Sequence, residues 1–117
     1  MAKYLLLIYG DATEWAAMSA EESAAHDARH IAFSEAAGTR VLGAAELQPA
    51  PGAVTIRAGV DGEVLSIDGP FAETKEAVGG FYLLEADSID EVKNLVELLP
   101  EVHAGHSGIE IRELVEH

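Results

Sequence analysis

GGFYLLEADSIDE, residues 79–91, is the stretch on which the fold turns. Its strand-like part, Phe81–Ala86, is apolar at successive positions. A strand whose two sets of alternating side chains are both apolar is covered on both faces and belongs at the centre of a sheet. Two glycines precede it, where a bulge or the close approach of another backbone is expected. Ser88-Ile89-Asp90-Glu91 follows at once as a Ser-x-x-Glu capping box, which opens a helix that Leu99-Pro100 closes.

The N-terminal half repeats this strand-to-helix order. KYLLLIY, residues 3–9, reads as a buried strand. A loop with Trp15 follows, and Ser19-Ala20-Glu21-Glu22 supplies a second capping box for a helix that runs to about Ala37 and stops at Gly38. RVLGAAEL (40–47) makes the next strand and ends in the breaker stretch Gln48–Gly52. VTIRA (54–58) and EVLSI (63–67) flank Gly59-Val60-Asp61-Gly62, a hairpin signal. IEIREL (109–114) alternates as the last strand.

Strand, helix, strand, hairpin, strand, helix, strand predicts an α+β fold of the ferredoxin-like split β-α-β type with an inserted hairpin. Its two helices cover one face of an antiparallel sheet. YLLLIY and FYLLEA carry apolar side chains toward the other face as well, so that face needs a cover, and a second copy of the chain is the simplest one. A homodimer is expected.

Composition narrows the function classes. The 117 residues with 49% hydrophobic content fit one domain spanning 1–117. Cysteine is absent, which removes disulfides, thiolate metal sites and a cysteine nucleophile, and suits a cytoplasmic setting. The opening MAKYLLLIYGD has too short an apolar run for a signal peptide or a membrane span. Seven Lys and Arg against 21 Asp and Glu give a net charge of -14, with the cations scattered. No nucleic-acid partner is expected on that charge.

The densest special chemistry lies just before the quoted stretch, in SIDGPFAETKEAVGG (66–80). Asp68 before Gly69-Pro70 reads two ways: as a turn carboxylate that accepts backbone N–H bonds, or as a base at the mouth of a pocket between facing sheets. Glu73, Lys75 and Glu76 form a charged turn, in which Lys75, one of few cations, could hold an anionic or polar organic ligand. Phe71 reads as a plug on its own sheet or as a substrate platform.

His26 and His30, four residues apart on the first long helix, project from one side. Such a pair resembles half of a metal face, but no third ligand stands at a fixed spacing, so no metal and no cofactor is assigned. A helical wheel puts Ala25, Ala28, Ala32 and Ala36 toward the core and His30 on the polar side with Ser23, Asp27 and Ser34. His103 and His106 fall in a Gly-rich loop before the last strand, where solvation is the ordinary fate of a histidine, and where a second wall of the pocket could also stand.

The run Asp68-Gly-Pro-Phe-Ala-Glu-Thr-Lys-Glu76, followed by Gly79-Gly-Phe-Tyr-Leu83, resembles the signature of YCII-related proteins of the DGPF type. The likeness extends through YLLLIYGD, Ala37-Gly38, Glu46–Pro49 and Gly108–Arg112. It implies a dimeric α+β barrel, and some relatives are similar to small-molecule enzymes that use a His and Asp pair, which here would be His30, then His26, with Asp68; the loop's own chemistry is what sets Lys75, Phe71 and Glu73 beside a small ligand. The same resemblance also admits a non-catalytic ligand-binding or regulatory module of the kind that accompanies extracytoplasmic-function sigma factors. The residues themselves leave open enzyme, ligand sensor and structural domain; no nucleophile elbow or phosphate loop is present.

Overall fold

A computed structural model describes residues 1–117. Its elements are β1 (Ala2–Asp11), α1 (Ala12–Ala16), α2 (Ala20–Ala37), β2 (Val41–Glu46), β3 (Val54–Ala58), β4 (Val64–Asp68), β5 (Glu76–Ala86), α3 (Ile89–Val96) and β6 (Ser107–Glu113). Single 3-10 turns occupy Gly38–Arg40, Ala50–Gly52 and Pro100–His103. Four strands form an antiparallel sheet in the order β2-β5-β1-β6, and β3 and β4 pair separately as a hairpin. That is the split β-α-β order expected from the sequence, with the hairpin inserted between β2 and β5.

β1 and β5 are central because both of their faces are apolar. Tyr4, Leu6 and Ile8 pair with or neighbour Tyr82, Leu84 and Ala86, and all six are buried in one cluster with Phe33, Ala37, Val92, Val96 and Leu99 from the helical side. Leu5, Leu7, Phe81 and Leu83 point the other way, where β2 contributes only Gly43 and Ala45, and no element covers them.

The pairing slips between Ile8 and Tyr9, whose partners are Gly80 and Val78, so Gly79 is the extra residue of a bulge. β5 therefore starts at Glu76 and takes in the glycines that the sequence places ahead of the strand. A Cβ on Gly79 would meet the Trp15 ring at 2.6 Å, and one on Gly10 would also run into that ring. One on Gly80 would lie 2.9 Å from the Ala45 carbonyl oxygen of β2. Trp15 belongs to a helix the sequence did not announce: the Asp11 carboxylate accepts from Thr13 N–H at 2.9 Å and caps α1.

The wheel for α2 is corrected. Ala25, Ala28, Ala32 and Ala36 are all exposed, and the stripe that faces the sheet is Ser23, His26, His30, Phe33 and Ala37. A methyl group gains little from burial, whereas a phenyl ring gains several times more. Phe33 therefore turns the helix, and residues three, four and seven positions away follow it down. The N-terminal capping box of α2 is complete: Ser19 Oγ accepts from Glu22 N–H at 3.1 Å and Glu22 accepts from Ser19 N–H at 3.0 Å. In α3 only the first half forms. Ser88 Oγ accepts from Glu91 N–H at 3.3 Å, but the Glu91 carboxylate is drawn to the Asp87 N–H and to Arg40.

Candidate functional site

Turning Phe33 into the core sets His26 and His30 over the sheet, half-buried and one helical turn apart. Opposite them, Pro100 starts the 3-10 turn and sends the next side chain inward. Glu101 is only 3% exposed, and its backbone carbonyl accepts from Ser107 Oγ at 3.0 Å, which ties the turn to the start of β6. Glu101 Oε2 takes both imidazoles, His30 Nε2 at 2.8 Å and His26 Nε2 at 3.0 Å. On the far side of the ring, His30 Nδ1 lies 2.7 Å from the Tyr82 hydroxyl. Tyr82 stands on β5 with its ring 4.6 Å from that of Phe33 and stacked at 5.9 Å on His30.

Hydrogen-bond capacity assigns the protons. Burial pushes the Glu101 carboxyl up, but the hydrogen bond and charge of His30, its own backbone N–H and the charge of His26 outweigh that, and its pKa is lowered. The carboxylate is thus an acceptor only, so His30 donates from Nε2. When the ring carries the charge that attracts Glu101, Nδ1–H donates to the Tyr82 oxygen; when the ring is neutral, Nδ1 accepts from the Tyr82 O–H. Burial, opposed by the Ser34 hydroxyl and reinforced by Glu101's charge, raises the Tyr82 pKa, so the phenol keeps its proton at neutral pH. The result is a hydrogen-bonded chain of Tyr82, His30 and Glu101, which runs from Tyr82 toward Glu101 when His30 is neutral. It opens onto a hollow of about 350 Å³ lined by His30, Ile31, Ser34, Glu35 and Tyr82.

The chain lies on the helix-covered side of the sheet, since Tyr82 alternates with Phe81 and Leu83 of the open face. Of the residues singled out in the sequence, the structure brings His30 and His26 together. Asp68 is exposed at the end of β4, paired through its backbone with Val54, and its side chain makes no hydrogen bond or ion pair. Lys75 is 83% exposed and points at Asp11, with Nζ 3.9 Å from Oδ2. Phe71 does not plug the sheet: it is 72% exposed, with the Arg57 guanidinium 4.8 Å over its ring. Glu73 is exposed in the same turn. His103 Nε2–H donates to the Glu97 backbone carbonyl oxygen at 2.8 Å. His106 packs edge-on to Trp15, with ring centroids 6.3 Å apart.

Sequence reasoning missed Glu101 and Tyr82. Glu101 lies 71 residues from His30, with no spacing rule to connect them. Tyr82 did carry a signal: a phenol on the core side of a central strand needs a partner for its hydroxyl.

The YCII-related domain family matches residues 2–116. An uncharacterized protein of Rhizobium meliloti is 33% identical over 113 residues, covering 95% of this chain and 90% of the relative. Among solved structures, the 5-chloro-2-hydroxyhydroquinone dehydrochlorinase of Burkholderia phenoliruptrix AC1100, in complex with 2,5-dihydroxybenzoquinone, superposes with a TM-score of 0.53. That match covers 98% of this chain and 95% of the other, at 20% identity, and so speaks for the fold.

Proposed function

From a chain that belongs to the YCII-related domain family, we propose a small-molecule enzyme that works by proton transfer, with Tyr82 as the group that meets the ligand. The observation that carries this reading is the Tyr82–His30–Glu101 chain, with links of 2.7 and 2.8 Å, ending in an open hollow. Tyr82 O–H donates to, or its oxygen accepts from, a ligand atom; His30 Nδ1 takes or returns the proton; Glu101 holds the ring in the tautomer that can do so. The carboxylate role expected of Asp68 passes to Glu101. That a neighbour of the same fold is a dehydrochlorinase supports an enzyme on a small organic substrate. Glu35 on the hollow's rim and a net charge of -14 favour neutral polar ligands over anions.

The enzyme works as a homodimer, its single domain pairing open face to open face in the cytoplasm. Support comes from Leu5, Leu7, Phe81 and Leu83, which no element of their own chain covers. No helix is long and apolar enough to cross a membrane.

A thermal-shift screen of small polar organic molecules, followed by solvent deuterium incorporation into each hit, tests the function. A ligand at a hundred times its dissociation constant adds about 2.7 kcal/mol. Hits should exchange a proton on the wild-type protein and on Asp68→Asn, and should bind without exchange on Tyr82→Phe. Hits that never exchange would leave a ligand-binding module, such as the sigma-factor-associated regulators to which the DGPF-type motif is similar.

A further inference from the structure

The proton chain needs one imidazole, yet two converge on Glu101. His26 brings a second Nε2 to the same carboxylate oxygen, and the donor atoms of His26, His30 and Glu101 all lie within 4.8 Å of one another. A separate observation stands beside this crowding. The other oxygen, Glu101 Oε1, is buried without any hydrogen-bond partner, in a side chain only 3% exposed. A buried carboxylate oxygen with no protein partner costs free energy, and a carboxylate has lone pairs to spare for a further one.

Two imidazoles at i and i+4 on one helical face, with a carboxylate opposite, form a donor set suited to borderline dications. The geometry points to a Zn²⁺-class site made by His26 Nε2, His30 Nε2 and the Glu101 carboxylate, with water in the remaining position. Metal–ligand bonds of about 2.0–2.2 Å place tetrahedral ligand atoms roughly 3.3–3.6 Å apart. The histidine nitrogens, at 2.8 and 3.0 Å from Oε2, therefore have to open by about half an ångström, which small χ rotations of two half-buried rings supply. Loading moves the ring protons of His26 and His30 from Nε2 to Nδ1; that of His30 is donated to the Tyr82 oxygen, whose own O–H turns away from the ring. A bound imidazole ordinarily donates its free N–H to just such an outer partner, and here the 2.7 Å contact is already in place. Cation and relay proton thus exclude each other at Nε2. Binding of the cation goes beyond the proton-transfer reading and stands without it.

Cobalt(II) titrated into the wild-type chain is the probe, with Zn²⁺ as competitor. One equivalent should give the strong visible absorption of four- or five-coordinate cobalt, lost again as Zn²⁺ displaces it. Paramagnetic broadening should reach the ring signals of His26 and His30 and spare those of His103 and His117. His26→Ala and Glu101→Gln should each weaken binding by at least about tenfold, and Tyr82→Phe, which removes only the outer partner, by about tenfold. The wild-type spectrum and broadening decide the matter even if a variant fails to fold. No visible spectrum at millimolar cobalt, unchanged binding in a folded His26→Ala, or broadening centred on His103, His106 or His117 overturns the site. Proton exchange is measured apart from the cobalt spectrum, so failure of one reading is distinguishable from failure of the other.

Discussion

Trp15 is held by what its neighbours lack. Gly79 is the extra residue of the β5 bulge and Gly10 lies beside it on β1, and the indole fills the room that two Cβ atoms would take. Gly79→Ala should destabilise the chain by about 1–3 kcal/mol through overpacking, and the fluorescence of the single tryptophan should report the displaced ring. Trp15→Leu made together with it should recover part of the loss; strict additivity in a denaturation cycle would show that ring and methyl do not collide. At Phe33 the expectation runs the other way. Phe33→Ala should cost about 3–5 kcal/mol, whereas Ala32→Ser, on the exposed side, should cost next to nothing. The sequence showed the glycine pair and the expected bulge; it could not show that an indole occupies the space, because Trp15 lies far along the chain and only the sheet brings it there.

The two long-helix starts differ in one hydrogen bond, and that difference is measurable. Ser19→Ala breaks a reciprocal box at α2 and should cost about 1 kcal/mol. Ser88→Ala breaks one bond at α3 and should cost less, because Glu91 already faces Arg40 and the Asp87 N–H. The Ser19 backbone N–H, then its hydroxyl, hold the Glu22 carboxyl below its ordinary value of 4.5 against a small effect of burial. A carboxyl lowered on folding stabilises the native state above its unfolded pKa, and that contribution fades as pH falls through the folded value. Stability should therefore decline below about pH 4.5 with a component that Glu22→Gln removes; identical acid limbs for the two proteins would show that the box does not titrate. The capping motifs were legible as local strings. That α2 rolls onto Phe33, carrying both histidines inward, was not, since an alanine-rich helix offers several faces of similar hydropathy.

At the scale of the molecule, one apolar sheet face is covered by α2 and α3 and the other is open. Light scattering should give twice the chain mass of 12.4 kDa, and Leu7→Glu, in the middle of the open face, should give the single-chain mass or an unfolded protein. A wild-type monomer stable at micromolar concentration would remove the paired arrangement. The strand order, the two helices and the bare face were all determined by the sequence itself, because strand alternation, capping boxes and turn residues are local patterns that chain order then joins in few ways. The candidate site was decided only by tertiary structure. Asp68 looked like the carboxylate because it stood in a conspicuous motif, yet β4 leaves its side chain in solvent with no partner. Glu101 carried no motif, but the turn at Pro100 buries it where two imidazoles can reach it. A buried carboxylate must find donors wherever the fold supplies them, and the nearer of those donors in the chain stood 71 residues away, on a helix whose rotation a single phenyl ring had set.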